Sequence, residues 1–219
     1  MPRFLIADDH AVVRRGLKQL LTEFFECAWI GECANGSLLV QEALTGEWDV
    51  VITDLSMPGM SGLEALNQIR QVNAKLPILV LSIHPEEQYA IRALRAGAFG
   101  YLSKDLSSEE LVGAIRQVLQ GKRYISPLVA EKLAASLNVD TSQKEHEQLS
   151  DREFDILKLI ATGKSITEIS LMLSRSPTTI STYRARVLSK LNMKTNADLV
   201  LYALEHKLIL GSVVDQLPN

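Results

Sequence analysis

Five short apolar runs, separated by segments with helical periodicity, fill the first half of the chain and leave few folds open to it. The runs are Arg3–Ala7, Ala28–Cys33, Val50–Thr53, Ile78–Ser82 and Ala98–Leu102. They are uninterrupted and partly β-branched, as strands buried on both faces of a parallel sheet require. Between them, Val13, Leu17, Leu20, Leu21 and Phe24 form one helical stripe, and Leu111, Ile115, Val118 and Leu119 another. Ser61-Gly-Leu-Glu64 and Ser107-Ser-Glu-Glu110 read as capping boxes that open helices. This alternation predicts an α/β doubly wound domain with a five-stranded parallel sheet over residues 1–122. Its ligand site would lie beyond the C-terminal ends of the strands.

The second half has helical periodicity and no strand signal. A helix over 126–137 leaves the first domain, and Asn138 to Gln148 contains one apolar residue, Val139. Residues 123–148 therefore read as a solvated linker that includes this helix. Ser150-Asp-Arg-Glu153 and Ser165-Ile-Thr-Glu168 are two further capping boxes, and Gly163 stops the helix between them. Ser176 followed by Pro177 starts a third helix, and Asn196 is positioned to cap a fourth, Ala197 to His206. The prediction is a small all-α domain over 149–211. Its second and third helices, Ile166–Leu173 and Pro177–Leu191, are joined by Ser174-Arg-Ser in helix-turn-helix spacing.

Charge separates the halves. The whole chain carries −3, but residues 1–122 hold 11 basic and 15 acidic residues, against 12 and 11 in the remainder. Between Ile169 and Ala197 lie Arg175, Arg184, Arg186, Lys190 and Lys194, with no acid. Two domains with two different partners are expected. Cys27 and Cys33 lack metal-site spacing and read as buried free thiols of a reducing compartment. No apolar run approaches the ~18 residues of a membrane span. The N-terminal apolar stretch meets Asp8 and Asp9 too early for a signal peptide. The expected location is the cytoplasm, with no membrane partner.

The acids carry the chemistry. Asp8 and Asp9 follow the first run, Asp54 the third, Ser82 ends the fourth and Lys104 follows the fifth. A doubly wound sheet brings these points to one edge. Clustered carboxylates repel and need a cation, and an oxygen-only set that keeps waters suits Mg²⁺. A lysine and a hydroxyl beside it suit a phosphoryl group. A carboxylate there is a candidate nucleophile that forms an aspartyl-phosphate.

Ile6-Ala-Asp-Asp-His10, Val51-Ile-Thr-Asp54-Leu-Ser-Met-Pro-Gly-Met-Ser-Gly62, Leu79-Val-Leu-Ser82 and Gly97-Ala-Phe-Gly-Tyr-Leu-Ser-Lys104 resemble a response-regulator receiver domain, a flavodoxin-like fold. The resemblance implies that Asp54 accepts phosphate from a sensor histidine kinase. It makes Asp8, Asp9, Asp54 and the Ser56 backbone carbonyl the Mg²⁺ ligands. Ser82 and Lys104 would hold phosphoryl oxygens, and Tyr101 would be the aromatic that swings inward on activation. Ser82 stands where many receivers have Thr, and Asp105 follows Lys104 where many have Pro. His84 and Ser56 occupy positions that tune phosphate lifetime in receivers.

The third helix of the second half turns Ile180, Val187, Leu188 and Leu191 to one side and polar residues to the other. Leu149-Ser-Asp-Arg-Glu153 through Leu191-Asn-Met-Lys-Thr195 resembles the LuxR-type helix-turn-helix, and the whole chain resembles the FixJ/NarL group of transcriptional regulators. The expected contacts to double-stranded DNA come from Thr178, Thr179, Ser181, Thr182, Arg184, Ala185, Arg186 and Lys190. The basic three, Arg184, Arg186 and Lys190, would meet phosphates, and Ser181, Thr182 and Ala185 the base edges. Ser181 and Ala185 depart from positions often basic in the group, and Tyr183 from a frequent His. The fourth helix is apolar nearly all round, as a well-buried closing helix is; the resemblance implies that it also forms a homodimer seam through Leu199, Val200, Ala203 and Leu204, promoted by phosphorylation and matching two half-sites.

Two other classes fit parts of the chain. One is a receiver that works by protein contact alone, which the acid-free basic stretch disfavours. The other is a phosphoaspartate phosphatase, which needs a second acid two residues after the nucleophile, where Ser56 stands. The sequence reads as a phosphorylation-switched transcription regulator, a phosphoacceptor and not an enzyme.

Overall fold

The computed structural model describes residues 1–137, 145–173, 175–206 and 208–209. They fall into two compact units that divide between residues 140 and 141. In the first, strands β1 (Arg3–Ala7), β2 (Trp29–Cys33), β3 (Val50–Asp54), β4 (Ile78–Ser82) and β5 (Gly100–Ser103) alternate with helices α1 (Ala11–Phe24), α2 (Gly36–Thr45), α3 (Gly62–Val72), α4 (Glu86–Arg95) and α5 (Ser108–Leu119). The sheet is parallel, in the order β2-β1-β3-β4-β5. The chain order reverses beside β1, so the ends of β1 and β3 open the crevice where ligands of such sheets bind.

The two central apolar runs, β3 and β4, are buried along their whole length. The edge run β2 is not buried on both faces, a correction to the sequence expectation. An edge strand has a neighbour on one side only, and Trp29 is half exposed. Its ring stacks on Trp48 at 4.9 Å, and the Arg3 guanidinium lies 4.9 Å from the Trp29 centroid. This cation–π cover shields the apolar edge. At the end of α1 the core residue is Phe25, edge-on to Phe4 at 5.1 Å, while Phe24 faces solvent. Cys33 is buried, but Cys27 is exposed, in a turn where its φ is +56°. Both thiols are free.

The expected capping boxes at Ser61/Glu64 and Ser107/Glu110 form with both reciprocal hydrogen bonds. The first fixes the loop after β3. There the Gly62 N–H donates to the Leu55 carbonyl at 2.9 Å, and a Cβ on Gly62 would collide with the Asp54 carbonyl oxygen. The helix α6 (Pro127–Leu137) lies in the segment read as linker. It packs against α4 and buries Val129.

The second unit opens with a 3-10 turn, Glu145–Gln148, followed by α7 (Asp151–Ala161), α8 (Ile166–Met172), α9 (Pro177–Lys190) and α10 (Asn196–Glu205). Phe154, Leu157, Ile169, Ile180, Val187 and Leu199 fill its core. The boxes at Ser150 and Ser165 form as expected. The α10 cap is Thr195, not Asn196: its hydroxyl accepts the Asp198 N–H at 3.2 Å, and the Asp198 carboxylate accepts the Thr195 N–H at 2.8 Å. Residues 138–144 and Ser174 fall outside the described residues, as do Lys207 and 210–211. At the end of the expected linker, His146 is anchored to α10. Its backbone N–H donates to the Tyr202 hydroxyl at 3.0 Å. Among the described residues no helix is long and apolar enough to cross a membrane.

Gly62→Ala forces a methyl group against the Asp54 carbonyl. It should destabilise the first unit by roughly 1–3 kcal/mol in urea unfolding, as overpacking does.

Candidate functional site

The ends of β1, β3 and β5 bring Asp8, Asp54 and Lys104 into contact. Lys104 Nζ lies 2.7 Å from Asp8 Oδ2 and 3.1 Å from Asp54 Oδ2. Asp8 and Asp54 are buried, and Asp9 is partly exposed beside them. Asp8 is held from several sides. His10 N–H donates to its Oδ1 at 2.8 Å, and Arg14 Nη1 donates to its carbonyl at 2.8 Å. Carboxylate oxygens of Asp8, Asp9 and Asp54 and a ring nitrogen of His10 all lie within 4.8 Å of one another. Asp54 Oδ1 is buried and has no hydrogen-bond partner among the described residues. A buried carboxylate oxygen without a partner, in a set of hard oxygen donors, fits a divalent cation.

Burial pushes the Asp54 carboxyl above its ordinary range. The neighbouring Asp8 charge adds to this, and Lys104 opposes both. Burial alone would lower Lys104, but Asp8 and Asp54 outweigh it and hold the ammonium above its ordinary range. The pocket therefore keeps a fixed positive charge beside a carboxylate that is costly to ionise.

Ser82 is fully buried at the end of β4, and its Oγ accepts the His84 N–H at 3.1 Å. His84 Nε2 lies 2.6 Å from Ser56 Oγ, and its ring stacks on Tyr89 at 4.6 Å. Tyr101 is buried, and its hydroxyl donates to the His84 carbonyl at 2.9 Å. Ser56, Ser82 and Tyr101 are thus joined through one histidine. Sequence reading placed it only by its position.

In the second unit, Thr178, Ser181, Thr182, Ala185 and Arg186 are exposed on α9. Two of the expected phosphate contacts have partners within the unit. Arg184 Nε donates to Asn196 Oδ1 at 2.6 Å, and Lys190 Nζ lies 2.6 Å from Glu153 Oε2. Thr179 shares a 2.8 Å hydrogen bond with Ser176. The expected seam needs correction. Leu199 and Ala203 are fully buried in the unit's own core, because α10 packs on α7. Val200 is half-buried and Leu204 45% exposed, and Leu201 joins them at the surface at 60%.

Two families match the chain. The response regulator receiver domain matches residues 4–116, and the bacterial regulatory proteins of the luxR family match residues 147–203. The response regulator UvrY of Escherichia coli is 37% identical over 209 residues, spanning 95% of this chain and 96% of UvrY. The chain belongs to the response regulators. It combines a receiver domain with a LuxR-type DNA-binding domain, as the FixJ/NarL group does, and is a phosphorylation-dependent transcription regulator. GacA of Pseudomonas aeruginosa, also a response regulator, is 35% identical over 95% of this chain and 98% of GacA. RcsB of Salmonella enterica serovar Typhimurium, solved bound to a promoter with the phosphomimetic BeF3−, is 28% identical with a TM-score of 0.60. That match covers 92% of this chain and 97% of RcsB.

Two features of this response regulator escaped the sequence reading. His10 was visible only as the neighbour of two aspartates. Glu153 was read as a helix-capping residue, yet it is also the buried partner of Lys190. Burial pushes the Glu153 carboxyl up, but Lys190 and the Ser150 N–H outweigh burial and hold it below the ordinary carboxylate range.

Both carboxylates make stability depend on pH, with opposite signs. Asp54 is raised, so its ionised form destabilises the fold. Asp54→Asn should stabilise the receiver at pH 7, and the gain should vanish in acid, where Asp54 is protonated. Glu153 is lowered, so its pairing stabilises above the unfolded carboxylate range and is lost as pH falls through the folded one. Lys190→Met should cost the DNA-binding unit about 1 kcal/mol at pH 7, since the lysine end is solvated, and less in acid, where only its 3.3 Å hydrogen bond to the Gln148 carbonyl remains to be lost. Thermal unfolding across pH reads both.

Proposed function

We propose that Asp54 accepts a phosphoryl group from the phosphohistidine of a sensor kinase and that this controls DNA binding by the second unit. One observation carries the reading: Lys104 bridges Asp8 and Asp54 while Asp54 Oδ1 has no hydrogen-bond partner. An Asp54 oxygen attacks phosphorus as the bond from phosphorus to the kinase imidazole breaks, and the imidazole leaves with the electron pair. Lys104 meets the phosphoryl charge. Ser82, while still accepting the His84 N–H, donates its own hydroxyl proton to a phosphoryl oxygen. Asp8, Asp9, Asp54 and the Ser56 carbonyl would hold Mg²⁺. When bound, Mg²⁺ supplies positive charge against the carboxylates and the incoming phosphoryl oxygens.

Phosphorylation replaces the single carboxylate charge with about −2 spread over the phosphoryl oxygens, which makes Ser82 a donor to phosphate and biases the loop that His84 ties to Tyr101. Residues 1–122 act as the receiver and 149–211 as the DNA reader, with 123–148 between them. In the reader, Thr178, Ser181, Thr182 and Ala185 face base edges, and Arg186 meets phosphate. Thr179, Arg184 and Lys190 position the helix at least as much as they touch DNA, given their partners within the unit. The protein pairs as a homodimer on DNA, a reading supported by RcsB, which has been solved as dimers on DNA, and the surface apolar residues of α10, Val200, Leu201 and Leu204, form the seam. The protein works in the cytoplasm.

DNA selected from random sequence and titrated with and without BeF3− tests the switch. The expected result is roughly tenfold tighter binding with BeF3−, absent in Asp54→Ala, with affinity falling steeply in salt. Equal binding by wild type and Asp54→Ala in BeF3− would overturn it.

A further inference from the structure

His10 is the residue before α1, at the N-cap, a place where Ser, Thr, Asp or Asn usually bonds the first turn. Its side chain makes no such bond. The imidazole turns to the acidic pocket instead. Nδ1 lies 2.9 Å from Asp9 Oδ1 and 3.2 Å from Asp8 Oδ1. The backbone bond from His10 N–H to Asp8 Oδ1, 2.8 Å, fixes where the ring stands. The ring is 68% exposed, so it lines the open mouth of the pocket and not its floor. On the floor, Asp54 is 96% buried and its Oδ1 is without a hydrogen-bond partner.

We propose that His10 Nδ1 is a nitrogen donor of the cation pocket, so that the pocket takes a first-row transition ion such as Mn²⁺ or Co²⁺ more tightly than Mg²⁺. This rests on the reading of Asp8, Asp9 and Asp54 as a cation pocket and adds its selectivity. The chemistry is that of donor type. Mg²⁺ prefers oxygen and keeps its waters, so an imidazole adds little to its binding. Ions later in the first row gain from nitrogen, and affinity for a mixed nitrogen–oxygen site rises along the row. One ring at the mouth therefore discriminates between ions that the carboxylates alone would treat more alike.

Calorimetric titration of the full chain with Co²⁺ and with Mg²⁺, at one fixed neutral pH, tests this in wild type, His10→Ala and Asp9→Asn. His10→Ala keeps the backbone bond to Asp8 and removes an exposed ring, so the fold survives. It should lose roughly tenfold or more in Co²⁺ affinity and leave Mg²⁺ affinity within about twofold, the oxygen donors being intact. A paramagnetically shifted imidazole resonance in the Co²⁺-loaded wild type should vanish in His10→Ala, and Asp9→Asn should weaken both ions. Co²⁺ binding that is unchanged or tighter in His10→Ala, or intact in Asp9→Asn, would overturn the assignment. No Mg²⁺ binding by the wild type would overturn the cation-pocket reading itself, a separate failure.

Discussion

The receiver depends on one ammonium group. Lys104 Nζ sits between two buried carboxylates, 2.7 Å from Asp8 and 3.1 Å from Asp54, and without it two like charges would face each other across the crevice. The lysine comes from the end of β5 and the acids from β1 and β3, so one side chain ties three strand ends across the sheet. It does not satisfy the pocket fully. Asp54 keeps a buried, unpartnered oxygen and a carboxyl raised above its usual range. A site that is stable yet under-compensated is suited to gaining positive charge or a covalent substituent.

The surrounding structure holds that imbalance in place. Gly62 lets α3 start directly against the Asp54 carbonyl, and the Ser61/Glu64 box locks the start of that helix. On the far side, His84 links Ser56, Ser82 and Tyr101 through its ring, its N–H and its carbonyl. A change at Asp54 thus meets one connected loop system instead of independent side chains. The DNA-binding unit uses a similar device in the Lys190–Glu153 pair at 2.6 Å. There the carboxylate is lowered, so the pair stabilises at neutral pH and stores no tension.

Much of this was legible in the sequence because it follows from period and position. β1, β3 and β4 are apolar runs of the right length. The acids and the lysine stand at strand ends that a parallel sheet must gather. Four Ser-x-x-Glu boxes form where they were read. What was not legible depends on neighbours distant in sequence. Nothing local reveals that β2 is an edge strand or that Arg3 and Trp48 cover Trp29. The Thr195/Asp198 box escaped because Asn196, another good capping residue, stands beside it. Leu199 and Ala203 looked like seam residues because a helix apolar on most sides does not say which side its own domain fills. Lys190 looked free because Glu153 lies 37 residues away.

The most direct test of the account locates the covalent product. The full chain, incubated with acetyl phosphate and a divalent ion and read by intact mass and peptide mapping, should gain one phosphoryl group, on Asp54. It should gain none in Asp54→Asn. A phosphoryl group on another residue, or equal incorporation in Asp54→Asn, would contradict the claim that the Asp8–Asp54–Lys104 pocket is the phosphoacceptor.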